Sequence, residues 1–92
     1  MSDIRPKQDS GFMIKMADGS FVSEILANGH PEDPVIYLKE SPFEAKIWNS
    51  AKAALRARDR VRAKAGECDV WNFWYDEEKS EFVLFRNVEA KP

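Results

Sequence analysis

The sequence predicts a single small α+β domain, in which an antiparallel sheet of two hairpins and a short strand packs on one long α-helix. Two segments of apolar residues interrupted by turn residues are typical of β-hairpins. Between them, a segment rich in alanine, arginine and lysine is typical of a helix. The 92 residues suffice for one domain. We expect a flexible lead over residues 1–10, the domain over 11–88 and a polar tail over 89–92.

The first hairpin and the short strand are predicted from residues 12–39. Apolar residues alternate on both sides of Asp18-Gly19, a dipeptide typical of a tight hairpin turn. Residues 27–34 contain asparagine, glycine and two prolines and therefore predict a loop. Val35–Lys39 predict the short strand. The order of elements is then ββ-β-α-ββ, and the alternative is two separate hairpins that sandwich the helix.

The helix is predicted to begin after Ser41 and to end at Gly66. The Ser41 hydroxyl can accept a hydrogen bond from an early amide, Pro42 fits the first helical position, and Glu44 completes a capping box. The predicted apolar stripe faces the sheet and consists of Ile47, Ala51, Ala54, Leu55, Val61 and Ala65, with Trp48 at its edge. Arg58 and Arg62 fall within this stripe, where we expect packing with a local salt bridge.

Residues 70–85, "VWNFWYDEEKSEFVLF", carry apolar side chains on both faces of the second predicted hairpin. One face is expected to pack on the helix. The other face is unlikely to stay exposed to water, because burying one such aromatic is worth about 2–3 kcal/mol. Three covers are considered: the first hairpin, a second molecule, or the bases of a nucleic acid stacked on the aromatic rings. We expect a protein interface on that face, with an acidic turn that steers a basic partner. Its predicted residues are Trp71, Trp74, Tyr75, Asp76, Glu77, Glu78 and Phe85.

A row of basic residues on the helix is the second candidate site. Lys52, Arg56, Arg60 and Lys64 recur every four residues and so form one ridge on the outer face. Contact with nucleic acid or with another anionic surface is the functional interpretation. A solvated face is the alternative that we favour, because charge runs on exposed helices are usually solvated. The net charge of −2 and the pI near 5.4 also weigh against nucleic acid.

The sequence offers little for catalysis or for binding a metal or cofactor. His30 is the only histidine and Cys68 the only cysteine, and neither has a partner that would complete a metal site or activate a nucleophile. The acidic turn lacks the ligand spacing of a calcium loop. We therefore expect a protein that is not an enzyme and holds no metal or cofactor. A lone cysteine and the lack of a membrane-spanning apolar run favour the cytoplasm.

Three segments, "GFMIKMADGSFVSEI", "SPFEAKIWNSAKAALRAR" and "VWNFWY", together resemble the small accessory proteins of bacteriophages and other mobile elements. That resemblance implies a protein that binds a host protein and inhibits or redirects it, as inhibitors of CRISPR and other defence complexes do. It implies action in the host-cell cytoplasm and no catalytic residue. We therefore expect a protein-binding module with a host protein or complex as its partner. The alternatives are a nucleic-acid-binding module that uses the basic ridge and a structural homo-oligomer, such as a homodimer.

Overall fold

The computed structural model describes residues 8–26 and 34–85. The predicted fold class is confirmed: these residues form a compact α+β domain with five antiparallel strands and one α-helix, in the order βββ-α-ββ. Most of the predicted lead, the loop that contains His30 and the predicted tail lie outside the described residues. The elements are β1 (Ser10–Met16), β2 (Phe21–Leu26), β3 (Val35–Lys39), α1 (Ala51–Ala65), β4 (Cys68–Asp76) and β5 (Glu81–Phe85).

The strands lie in the order β3-β2-β1-β4-β5, so that the two hairpins meet at β1 and β4. The pairing of β1 with β4 extends over seven residues, from Ser10 opposite Trp74 to Met16 opposite Cys68. In contrast, β1 pairs with β2 only at Lys15, next to the turn. Beyond the residues next to the turn, β1 and β2 therefore separate and no longer pair with each other.

Residues 46–48 occupy the opening between β1 and β2. The Trp48 amide donates to the Phe12 carbonyl oxygen at 2.9 Å, and the Phe12 amide donates to the Trp48 carbonyl oxygen at 3.0 Å. On the other side, the Lys46 amide donates to the Val22 carbonyl oxygen at 2.8 Å. These bonds satisfy backbone groups that β1 and β2 would otherwise offer to each other. Residues 46–48, which we name the crossing segment, carry the chain from one face of the sheet to the other.

The helix begins later than the sequence predicts. Ser41 does act as a cap, but it caps a single 3₁₀ turn, Pro42–Glu44, after which the chain is extended. The helix begins at Ala51, where the Ser50 hydroxyl accepts a hydrogen bond from the Ala53 amide at 3.1 Å. The prediction of one helix from Pro42 was wrong, because burial of the intervening residues and their hydrogen bonds to the sheet outweigh local helical preference.

The sheet buries apolar residues on both faces. The helix-side core joins Ala54, Ala57 and Val61 of α1 to buried residues of β1, β2 and β4, namely Ile14, Met16, Val22, Cys68 and Val70. Ile36 of β3 packs at its margin. Of the predicted helical stripe, Ala54 and Val61 are buried there, whereas Ala65 is exposed and Ala57 is buried in its place. The opposite core consists of Met13, Phe21, Ala45 and Phe73, with Ile47, Trp71, Phe82 and Leu84 packed against it.

Residues 43–47 cover the opposite face, where we expected the first hairpin or a second molecule. Ala45 is fully buried and Ile47 packs on the opposite core. The Phe43 ring meets the Phe82 ring edge to face at 4.8 Å between centroids and the Tyr75 ring at 5.9 Å. Edge-to-face aromatic pairs add about 0.5–1.5 kcal/mol beyond the area they bury. The chain thus supplies its own second layer at this position.

Candidate protein-binding surface

The second hairpin, β4 with β5, distributes its aromatic residues over both faces of the sheet. Trp74 pairs with Val83, and Asn72 pairs with Phe85, so that all four side chains share the helix side. Trp71, Phe73 and Tyr75 alternate with them and lie on the opposite side. The structure therefore separates the predicted interface residues: Trp74 and Phe85 lie on one face, and Trp71 and Tyr75 lie on the other.

Trp71 and Tyr75 help to hold the fold together. Tyr75 is half-buried, and its ring meets the Phe82 ring edge to face at 5.2 Å. Trp71 is also half-buried and packs on the opposite core, with the Lys15 ammonium nitrogen 5.2 Å from its ring centroid. An ammonium at this distance over an indole is a stabilising cation–π contact. Any contact that these two residues make with a partner is limited to their exposed edges.

Trp74, Val83 and Phe85 form a surface that we name the hairpin patch. Trp74 is 44% exposed, and Val83 and Phe85 are half-buried. Within the described part of the chain, none of the three belongs to the helix-side core or to the opposite core. Val83 was absent from the predicted site, although the alternation along β5 places it opposite Trp74. The hairpin patch is thus an apolar area on the helix side of the sheet, outside the core that the helix covers.

The acidic turn lies at the end of the same hairpin. An Asp76 carboxylate oxygen accepts hydrogen bonds from the amides of Glu78 at 3.0 Å and of Lys79 at 3.3 Å. Asp76 therefore shapes the turn, as aspartate commonly does through bonds to amides two and three residues on. Glu77, Glu78 and Glu81 are exposed. Lys79 is the only basic residue in this group, which leaves an excess of negative charge beside the hairpin patch.

The predicted basic ridge is exposed along its whole length. Lys52, Arg56, Arg60 and Lys64 all lie on α1 with exposed side chains, whereas Ala54, Ala57 and Val61 turn towards the sheet. The four cations therefore form one accessible stripe, as their spacing predicts. The stripe lies on α1, whereas the hairpin patch lies on β4 and β5.

Arg58 and Arg62 have the structural role that the sequence predicts. A terminal nitrogen of Arg62 donates to the Cys68 carbonyl oxygen at 2.7 Å and lies 3.5 Å from an Asp69 carboxylate oxygen. The Nε of Arg62 is 3.6 Å from Glu67, too long for a hydrogen bond but close enough for an ion pair. Arg58 bonds to its neighbour Asp59 at 3.2 Å. The end of the helix is therefore fixed to the start of β4.

Cys68 is poorly placed to act as a nucleophile. Cys68 is 3% exposed, and burial raises the pKa of its thiol, so that it is a weak nucleophile at neutral pH. A cavity of about 210 Å³ near it is lined by Lys15, Glu67, Asp69 and Trp71 among others. Across residues 8–26 and 34–85, no group of three metal-ligating side chains is close enough to hold an ion. The same residues contain no helix that is long and apolar enough to cross a membrane.

Fold and surface together define a small α+β domain with an apolar patch at one end of its sheet and a basic stripe on its helix. In comparisons with protein-family models, with curated proteins and with solved structures, nothing matches this chain.

Proposed function

We propose that the chain is a non-enzymatic protein-binding module that holds its partner on the hairpin patch. The observation that carries this proposal is the exposure of Trp74 beside Val83 and Phe85, outside both cores. Tryptophan is enriched among the residues that dominate binding energy at the centres of protein interfaces. A partner that covers this area would remove apolar surface from water, which stabilises a complex by about 25 cal/mol for each Å² buried.

The acidic turn supports a partner with a basic surface. Glu77, Glu78 and Glu81 lie on the hairpin that carries the patch, and complementary charge accelerates encounter and excludes wrong partners. Enzymes that process nucleic acids present basic grooves to their substrates. The proposal in its specific form is therefore inhibition of a host nucleic-acid-processing complex by a phage or mobile-element protein, in the host-cell cytoplasm. The resemblance described above supports that form.

Replacing Trp74 with aspartate tests the proposal. We expect Trp74→Asp to weaken the complex at least about 30-fold, because an interface hot spot contributes 2 kcal/mol or more. The partner would be captured from host lysate with the tagged wild-type protein, identified by mass spectrometry, purified and titrated by calorimetry. Ala53→Asp is the control, because it adds the same charge at an exposed position of α1, outside the hairpin patch. Undiminished affinity of a folded Trp74→Asp variant would refute the proposed surface.

Binding of nucleic acid through the basic ridge is the second candidate, favoured by the four exposed cations on α1. It predicts that Arg56→Glu/Arg60→Glu abolishes binding to a duplex oligonucleotide. It also predicts that the wild-type affinity falls steeply with salt. The logarithm of the association constant should fall linearly with the logarithm of the salt concentration, with a slope of about −0.9 for each phosphate contact. Fluorescence anisotropy over a range of salt concentrations measures both. Lys39→Glu/Lys79→Glu changes the net charge equally and serves as control. No binding, or binding insensitive to salt, rules this candidate out.

A further inference from the structure

The edge strand β3 exposes apolar side chains on both of its faces. Among the described residues, four large apolar side chains are at least 40% exposed, and three of them are Val35 at 40%, Tyr37 at 46% and Leu38 at 40%. In the described part of the chain, β2 flanks β3 on one side and no strand flanks it on the other. Exposed apolar edge strands favour pairing with another strand.

The backbone of β3 determines which of its groups face outward. The Ser23 hydroxyl donates to the Tyr37 carbonyl oxygen at 3.3 Å, so this carbonyl faces β2. The pairing of Tyr37 with Glu24 agrees with that orientation. Both backbone groups of a strand residue point to the same side, and successive residues alternate. The N–H and C=O groups of Ile36 and Leu38 therefore point away from β2, towards the open edge.

We propose that β3 pairs in antiparallel fashion with β3 of a second copy of this chain, about a two-fold axis at Tyr37. In this register Ile36 lies opposite Leu38 of the second copy, and Leu38 lies opposite its Ile36. Both are hydrogen-bonded pairs that exchange two bonds each, so four main-chain hydrogen bonds join the copies. The two sheets become one continuous sheet of ten strands.

The side chains fit this register without placing like charges opposite each other. Ile36 and Leu38 share the helix side of the sheet, and each meets an apolar side chain of the other copy. Tyr37 meets Tyr37 across the axis, in the closer, non-hydrogen-bonded kind of pair. Val35 lies opposite Lys39, whose ammonium pairs with Glu44 of its own chain at 3.9 Å. All three exposed apolar side chains of β3 are covered.

Neighbouring registers are excluded by the residues that flank the strand. Moving the two-fold axis from Tyr37 to Ile36 pairs Leu38 with Pro34, which has no N–H to donate. Moving the axis to Leu38 pairs Ile36 with Glu40 and places a carboxylate in the apolar contact. The strand is thus complementary to itself in one register, which is why we assign the edge to a second copy rather than to an unrelated extended peptide.

Solution mass tests the pairing. Light scattering and sedimentation from micromolar to millimolar protein should show the wild type approaching twice the 10.6 kDa of one chain. Leu38→Lys should remain at 10.6 kDa because it places a charge in the apolar pair, and circular dichroism would verify its fold. Trp74→Asp should still dimerise. A wild type that stays at one chain throughout overturns the proposal, as does a dimer that survives Leu38→Lys or requires Trp74.

Cross-linking tests the register. Tyr37→Cys places two cysteines across the axis with Cα atoms about 4.5 Å apart, within the range that a disulfide bridges. We expect this variant to form a covalent dimer under mild oxidation. Val35→Cys is the control, because its copies lie four residues apart along the strand, about 13–14 Å. The buried Cys68 should not link in either variant. Equal linking of both variants, or of neither, overturns the assigned register.

Discussion

Phe73→Ala is expected to lower the free energy of unfolding by about 3–5 kcal/mol, the largest effect of any single substitution considered for this chain. Phe73 is 1% exposed and lies at the centre of the opposite core. Its ring meets the Phe82 ring edge to face at 5.4 Å, so the substitution removes buried area, an aromatic contact and packing density together. Small domains are stable by only about 5–15 kcal/mol, so a large part of the total would be lost.

The neighbouring Trp74→Ala variant is the matched control. It removes a still larger side chain from the next position of the same strand, but from the exposed face. We expect a smaller loss, about 1–2 kcal/mol, because Trp74 is 44% exposed and only part of its side chain is removed from water on folding. Denaturant unfolding followed by circular dichroism measures both variants. Equal losses would contradict the separation of this hairpin into a buried and an exposed face.

The alternation of residues along β4 and β5 predicts which side chains share a face, and the observed register agrees. The period of two is a local property of the strand, so a sequence pattern can reveal it. Which face lies open is not local. Cover over Phe73 and Phe82 comes from Phe43 and Ala45, whose flanking residues carry signals typical of a helix start. The predicted interface nevertheless combines Trp71 and Tyr75 with Trp74, although the alternation along β4 places them on opposite faces.

The start of the helix illustrates the same limit. Ser41 and Ser50 both accept hydrogen bonds from nearby amides, and either could begin a helix on local grounds. Which of the two serines begins the α-helix depends on Ala45 and Ile47, which pack in the opposite core, and on Trp48, whose backbone bonds to β1. Strand order is equally non-local, so the sequence predicts β3 as a strand but not as an exposed edge.

Gly11→Ala is expected to lower the free energy of unfolding by about 2–4 kcal/mol, through backbone strain and overpacking combined. Gly11 has a φ of +151°, a conformation that residues with a side chain rarely adopt. A Cβ atom at this position would lie 2.9 Å from the Cγ2 of Ile47 and 3.1 Å from the carbonyl oxygen of Trp48. Since that oxygen accepts the Phe12 amide, the crossing segment cannot move away without breaking its bond to β1.

Gly19→Ala separates the two causes. Gly19 also has a positive φ, +99°, but a Cβ atom there would have nothing within 4 Å outside its chain neighbours. Strain alone should lower its unfolding free energy by about 1–2 kcal/mol. The remaining loss in Gly11→Ala measures how tightly the crossing segment is held against β1. Hydrogen exchange at the amides of Phe12 and Trp48 should accelerate in Gly11→Ala and not in Gly19→Ala. Equal losses and equal exchange would show that the crossing segment can yield, and that the sheet does not depend on its close approach.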